Sequence, residues 1–244
     1  VVIGEPSFLV YRLASLVQGA GPVTVPLKDF KCDLEGMARA VTGRTRVIFI
    51  DNPCNPTGRS IGAAEVDSFL SSIPEGVIVV FDEAYDEFVE RKDFPDTISY
   101  IDRKDVVLVR TFSKAHGLCG LRVGYGVTGA ENAEYMNRVR QPFNVNAVAQ
   151  IAATASLKDK AHIKKVQKTV REGKKFLYGV FEDMGLAFVP SDTNFILVDV
   201  KGSGRAVFEG LLREGVIVRD MDAYKLEGHI RVTIGTMPEN QEIC

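Results

Sequence analysis

Lys114 lies in the stretch VLVRTFSKAHGLCGLRVGYG, just past the apolar run Val106 to Val109. Thr111 and Ser113 precede the lysine, and Gly117, Gly120, Gly124, Gly126 and Arg122 follow it. An amine, two hydroxyls and a guanidinium held close together suit a small molecule with an aldehyde at one end and a phosphate at the other. Two further apolar runs also end in polar residues. VIFI at 47–50 leads into DNPCNPTG, which carries Asn55, and VIVVF at 77–81 leads into DEAY, which carries Asp82 and Tyr85. Amide, carboxylate, phenol and amine together are the set that pyridoxal phosphate uses. The lysine forms a Schiff base with the aldehyde, and an aspartate at the pyridine nitrogen keeps it protonated, which makes the ring an electron sink. Asn55 and Tyr85 would stand beside the ring hydroxyl, and Thr111, Ser113 and Arg122 would bind the phosphate.

Each residue alone has a plainer reading. A lysine after a strand is usually solvated, N-P-T-G is an ordinary turn, and Asp82 has the type that caps a helix. Their joint appearance at three strand ends favours a site.

The three runs are apolar throughout and rich in β-branched residues, as in strands buried on both faces of a parallel sheet. Their ends lie roughly 30 residues apart, the size of a βαβ unit. Helical stripes fall between them. Val66, Phe69, Leu70 and Ile73 mark one over 63–73, and Asp33 caps another over 33–41 that carries Leu34, Met37 and Val41. A strand over 123–127 and a helix over 130–140 follow, and Pro142 marks a junction. Beyond it the pattern predicts helices over 145–157, 160–184 and 206–214, with short strands at 187–189, 195–200, 216–219 and 230–234. The expectation is an α/β protein: a mostly parallel, doubly wound sheet in a large domain, residues 1–144, and a smaller α+β domain, residues 145–244. In such sheets ligands bind beyond the carboxyl ends of the strands, where the polar residues fall.

Bulk properties exclude several other classes. With 30 Lys and Arg against 32 Asp and Glu, the net charge of −2 argues against nucleic acid and anionic membranes as partners. The cluster Lys164, Lys165, Lys168, Arg171, Lys174 and Lys175 has the spacing of a solvated helix face. Cys32, Cys54, Cys119 and Cys244 form no C-x-x-C pair, and His116, His162 and His229 show no metal-ligand spacing, so neither a disulfide framework nor a metal centre is expected. No apolar run long enough for a membrane span and no export signal is visible, which points to the cytoplasm. The chain opens on VVIGEP inside an apparent strand and stops at PENQEIC as a helix begins, so it reads as a fragment.

TFSKAHGLCGLRVGYG, DNPCNPTG and VVFDEAYDEF, with EPSFLVY, SDTNFILV, GVIVRD and HIRVTIGT, resemble the fold type I pyridoxal-phosphate aminotransferases, and among them the histidinol-phosphate branch. The resemblance implies that Lys114 is the Schiff-base lysine and the base that moves the substrate α-proton, that Asp82 pairs with the pyridinium, and that Phe8 stacks on the ring. It implies that Arg231 takes the carboxylate of the amino-acid substrate and that Arg219 helps bind the substrate phosphate. Phe8 would also suit a simple core position and Arg219 a surface charge. Arg231, inside the apparent strand 230–234, needs an anionic partner or an exposed edge. By the same resemblance the enzyme is a homodimer with a shared active site. A phosphate loop, an N-terminal closing segment and a tyrosine lent by the neighbouring subunit would all precede Val1, so activity is expected of the intact protein. The expected reaction is ping-pong transamination between histidinol phosphate and 2-oxoglutarate, in histidine biosynthesis. Threonine-phosphate decarboxylase and an aromatic or broad-range aminotransferase fit the same motifs. From another class, so does an aminotransferase-like effector domain of a transcription regulator.

Overall fold

A computed structural model describes residues 1–102 and 105–243. Its first half alternates strands and helices: β1 (Val2–Glu5), α1 (Leu9–Val17), β2 (Val23–Pro26), α2 (Leu34–Arg39), β3 (Val47–Asp51), α3 (Ala63–Ser72), β4 (Ile78–Asp82), β5 (Val106–Thr111) and β6 (Gly124–Thr128). These strands form one sheet in the order β2-β1-β3-β4-β5-β6. All pairs are parallel except β5 with β6, which closes the edge antiparallel. The register aligns Asp51 with Asp82 and Asp82 with Val109, so the carboxyl ends of β3, β4 and β5 lie side by side. Strand order reverses between β1 and β3, and it is at such a switch point that open α/β sheets form a crevice.

Helices α2 and α3 cover one face of this sheet. Met37, Val66, Phe69 and Leu70 pack there against Ile48, Ile50, Phe81 and Leu108, all buried. Asp33 caps α2 by accepting the Gly36 N–H at 3.0 Å, a contact worth about 1 kcal/mol. The opposite face is less covered: burial alternates along β3 and β4, where burial on both faces was expected. Phe49 and Val80 are half-buried on that side.

The second half adds α4 (Ala130–Val139), α5 (Ala147–Ser156), α6 (Lys160–Asp183), β7 (Ala187–Val189), β8 (Phe195–Asp199), α7 (Gly204–Arg213), β9 (Arg219–Asp220), β10 (His229–Thr233) and α8 (Met237–Gln241). Its sheet, β7-β8-β10-β9, is antiparallel throughout. The strand expected over 216–219 is instead the two-residue β9, because this edge pairs with β10 only through Arg219 and Asp220. Leu177 and Phe181 of α6 pack on Ile196, Val198, Ile230 and Val232, and Tyr85, Phe88 and Ala115 from the first half are buried in the same core. That shared core holds the loops after β4 and β5 against the antiparallel sheet. The basic cluster on α6 is largely solvent-exposed; Lys174 differs, half-buried and donating to the Ser191 carbonyl at 2.6 Å. Among the described residues no helix is long and apolar enough to cross a membrane. Cys244 lies outside them.

Candidate active site

Asp82 ends β4, and both its oxygens are engaged. Oδ1 accepts the Ala84 N–H at 3.1 Å and Oδ2 accepts the Tyr11 hydroxyl at 2.7 Å. Tyr11 is buried, its ring parallel to that of Phe49 at 4.8 Å and edge-on to Phe8 at 5.6 Å. Phe8 itself is 37% exposed, so part of its ring is available to a ligand. Tyr11 had no assigned role in the sequence reading. Its signal was present, since FLVY puts it one helical turn beyond Phe8 and on the same side.

Asn55 leaves the end of β3 in a loop braced from several directions. Its N–H donates to Asp51 Oδ2 at 2.9 Å, and Asn52 exchanges hydrogen bonds with the Ile61 backbone at 2.8 and 3.3 Å. Gly58, the glycine of N-P-T-G, has φ +83°, and a Cβ there would meet Ser191 Oγ at 2.3 Å. Only glycine fits both the backbone and the close approach of the second half.

Lys114 stands at the third strand end with its amine 5.3 Å from the centre of the Tyr85 ring. Its side chain remains accessible, yet desolvation of the amine, with the positive charge of Arg231 nearby, holds its pKa below the usual lysine value. Burial raises Asp82, against the opposing effects of the Tyr11 hydrogen bond and Lys114, and pushes Tyr85 up to about 12. Phe8, Tyr11, Asn55, Asp82, Tyr85 and Lys114 line one pocket of about 80 Å³. A larger cavity of about 770 Å³ lies between α2 and α3 but gathers no comparable set.

The three residues expected at the phosphate lie together. Arg122 donates to Ser113 Oγ at 3.3 Å and to the Cys119 carbonyl at 2.7 Å, and Thr111 Oγ1 accepts the Ser113 N–H at 3.1 Å. Arg122 holds φ 52°, in the left-handed region. A non-glycine residue kept there costs on the order of 1 kcal/mol, and here the hydrogen bonds to Ser113 and Cys119 hold it.

Arg231 reaches this pocket from the other sheet. Among the described residues it has no anionic partner, and it does not lie on the exposed edge that its sequence context requires. β10 is an inner strand; the guanidinium lies 4.8 Å from the centre of the Phe195 ring and donates to Asn55 Oδ1. Its Nε is buried with no hydrogen-bond partner among the described residues. Arg219 stands directly opposite it across the β9–β10 pair. Like charges so placed destabilise a sheet unless an anion lies between or beside them. Beneath the site Glu83, fully buried, receives Arg110 Nη2 at 2.8 Å and Nε at 3.1 Å, and also accepts from Thr97. The sequence reading had not singled out this brace.

The model of the aminotransferase class I and II family matches residues 1–244. The chain belongs to that family. It is 47% identical to the histidinol-phosphate aminotransferase of Moorella thermoacetica over 99% of its length, but spans 63% of that relative, a little under two thirds. Among solved structures it is similar to the histidinol-phosphate aminotransferase of Sinorhizobium meliloti in complex with pyridoxal-5'-phosphate, with a TM-score of 0.93 and 32% identity, over 100% of this chain and 68% of that one. It is also similar to the L-threonine-O-3-phosphate decarboxylase of Porphyromonas gingivalis, with a TM-score of 0.84 and 26% identity, over 99% of this chain and 74% of that one. The α/β architecture with a mostly parallel sheet is the one this family shares with fold type I pyridoxal-phosphate enzymes.

Proposed function

We propose that the intact protein catalyses pyridoxal-phosphate-dependent transamination between histidinol phosphate and 2-oxoglutarate. The observation that carries the reading is the opposed pair Arg219 and Arg231, with the unpartnered Nε of Arg231 buried beside Asn55. Two guanidiniums on adjacent strands suit a pocket that takes a carboxylate in one half-reaction and a phosphate in the other. The names of the relatives support the same substrate.

The residues present fit pyridoxal phosphate. Part of the Phe8 ring is open beside the pocket, Asp82 lines it with its carboxylate held by Tyr11, and Arg122 is hydrogen-bonded to Ser113, the residue before Lys114. When bound, the cofactor supplies an electron sink for the substrate α-carbon. The rest is done by this chain. Lys114 would provide the amine that holds the cofactor aldehyde and would move the α-proton, and its lowered pKa suits that task because more of the amine is neutral near neutral pH. Asp82 is the counter-charge for a protonated pyridine nitrogen, and Tyr11 holds that carboxylate in place. Asn55 accepts Arg231 at Oδ1, which leaves its amide N–H groups to donate to the ring oxygen alongside Tyr85. Thr111, Ser113 and Arg122 would hold the cofactor phosphate, and Arg231 and Arg219 would bind the substrate anions.

The enzyme is a cytoplasmic homodimer in this proposal. The buried, unbridged thiols Cys32 and Cys54 suit a reducing compartment. Large exposed apolar side chains on α1 and around α4 and α5, among them Leu13, Val17, Phe143 and Ile151, support pairing, which sedimentation of the intact protein measures.

The test is spectrophotometric, on full-length protein loaded with pyridoxal phosphate. Histidinol phosphate added without a keto acid converts the cofactor to its amine form, and Lys114→Ala loses the conversion. An unchanged spectrum overturns the assignment, and carbon dioxide release from threonine phosphate would then identify the decarboxylase.

A further inference from the structure

Cys32 and Cys54 are distant in sequence and adjacent in the fold. Cys32 comes from the segment before α2, Asp51 from the end of β3, and Cys54 from the DNPCNPTG loop, all near the point where strand order reverses. Cys32 Sγ lies 3.6 Å from Asp51 Oδ1, and the two sulfurs and a carboxylate oxygen are all within 4.8 Å of one another. All three residues are at most 3% exposed. In a tetrahedral site with metal–sulfur bonds of about 2.3 Å and metal–oxygen bonds of about 2.0 Å, ligand atoms stand roughly 3.5–3.8 Å apart. The sulfur–oxygen separation already has that value.

The charge balance points the same way. The groups bonded to the Asp51 carboxylate are backbone N–H groups and the Cys32 thiol, and Asp82 is a second carboxylate nearby. None of these is a cation, whereas buried carboxylates are normally paired or ligate a metal. We propose that Cys32, Asp51 and Cys54 bind one soft divalent cation of the Zn²⁺ or Cd²⁺ class, and that both thiols release their protons as the metal–sulfur bonds form. The Pro6 carbonyl, 3.9 Å from Cys54 Sγ, offers a further oxygen as a fourth ligand.

The site forms a wall between two spaces. Cys32 lines the cavity of about 770 Å³ between α2 and α3, whose wall mixes Asp33, Glu35 and Glu65 with their ion-pair partners Arg39 and Lys31, so the cavity opens beside the thiol without a net acidic lining. Asp51 lines the small pocket of Phe8 and Lys114, holds the Asn55 N–H, and is three residues from Cys54. A cation that recruits Asp51 and Cys54 therefore shifts the support under Asn55. Occupation of the wall weakens the hold of the pocket on pyridoxal phosphate, a consequence that rests on the function proposed above.

The test is a Cd²⁺ titration of reduced full-length protein, following the ultraviolet charge-transfer absorbance of cadmium thiolate and the release of protons to an indicator dye. Saturation is expected at one Cd²⁺ per chain with about two protons released. Zn²⁺ competes for the site; Cys32→Ser and Cys54→Ser lose the band, and Cys119→Ser keeps it. Asp51→Asn retains both thiols and binds Cd²⁺ at least about tenfold more weakly, a readout that does not depend on the serine variants folding. No band, a band that survives both serine variants, or one that follows Cys119 overturns the site. For the coupling, saturating Cd²⁺ lowers pyridoxal-phosphate affinity about tenfold in the parent and leaves Cys54→Ser unaffected. Cd²⁺ binding with unchanged cofactor affinity overturns the coupling alone. Failure of the metal-free protein to take up pyridoxal phosphate overturns the proposed function and leaves the metal site standing.

Discussion

The two sheets deliver chemistry to the same pocket in different ways. The parallel sheet presents Asn55, Asp82 and Lys114 from the ends of neighbouring strands, where the backbone leaves the ladder and loops are free to aim side chains. The antiparallel sheet presents Arg231 from within an inner paired strand, where the ladder fixes its direction and sets Arg219, exposed on the edge strand β9, opposite it. Strand ends tolerate varied polar residues because loops and solvent satisfy them. Arginines set directly opposite each other across a ladder are a cost, and Arg231, its buried Nε without a partner among the described residues, is the stronger sign of an anionic ligand.

Substitutions at the two sheets test that difference, beginning beyond the loss expected at Lys114. Arg110→Met leaves Glu83 buried without its cation beneath the parallel sheet, and urea denaturation is expected to show about 3–5 kcal/mol of destabilisation. A loss under 1 kcal/mol would mean that Glu83 takes up a proton instead. Across the antiparallel sheet, Arg231→Gln is expected to lower kcat/KM for 2-oxoglutarate about 100-fold, the scale of a lost charge-assisted hydrogen-bonded contact. Arg219→Gln is expected to cost about tenfold, and only with the phosphorylated substrate; equal losses with both substrates would erase the division of labour between the two arginines.

Smaller effects report on positioning. Tyr11→Phe removes the hydroxyl from Asp82 Oδ2 and should weaken pyridoxal-phosphate binding about tenfold, measured by equilibrium titration. Unchanged affinity would show that the Ala84 N–H alone holds the carboxylate. Arg231 also lowers the Lys114 pKa by charge repulsion. In Arg231→Gln the amine therefore keeps its proton to higher pH, and the midpoint of the pH dependence of cofactor uptake moves upward. A midpoint that stays in place would leave desolvation, with the charge of Arg122, as the cause.

Legibility in the sequence followed this same division. VIFI, VIVVF and VVLV each stop at a polar cluster, and parallel strands deliver such clusters to one edge, so Asn55, Asp82, Tyr85 and Lys114 were readable together. Tyr11 was not, because its role depends on reaching Asp82 across 71 residues of chain. Glu83 and Arg110 escaped for the same reason, since each looks like an ordinary charge in its own segment. The β9 strand was misplaced because the apolar run 216–218 reads as a strand, whereas the pairing begins at Arg219.

Local order was set by the sequence itself: apolar periodicity, capping residues and turn chemistry specify the succession of strands and helices and the polar residues at their ends. Register and the packing of one sheet on the other came only with the tertiary structure. These opposed Arg219 to Arg231, carried Arg231 to Asn55, placed Tyr11 against Asp82, and set Cys32 beside Cys54. The physical reason is range. Propensity and periodicity act over a few residues, whereas a site assembled from several segments depends on which surfaces find it most favourable to leave water together.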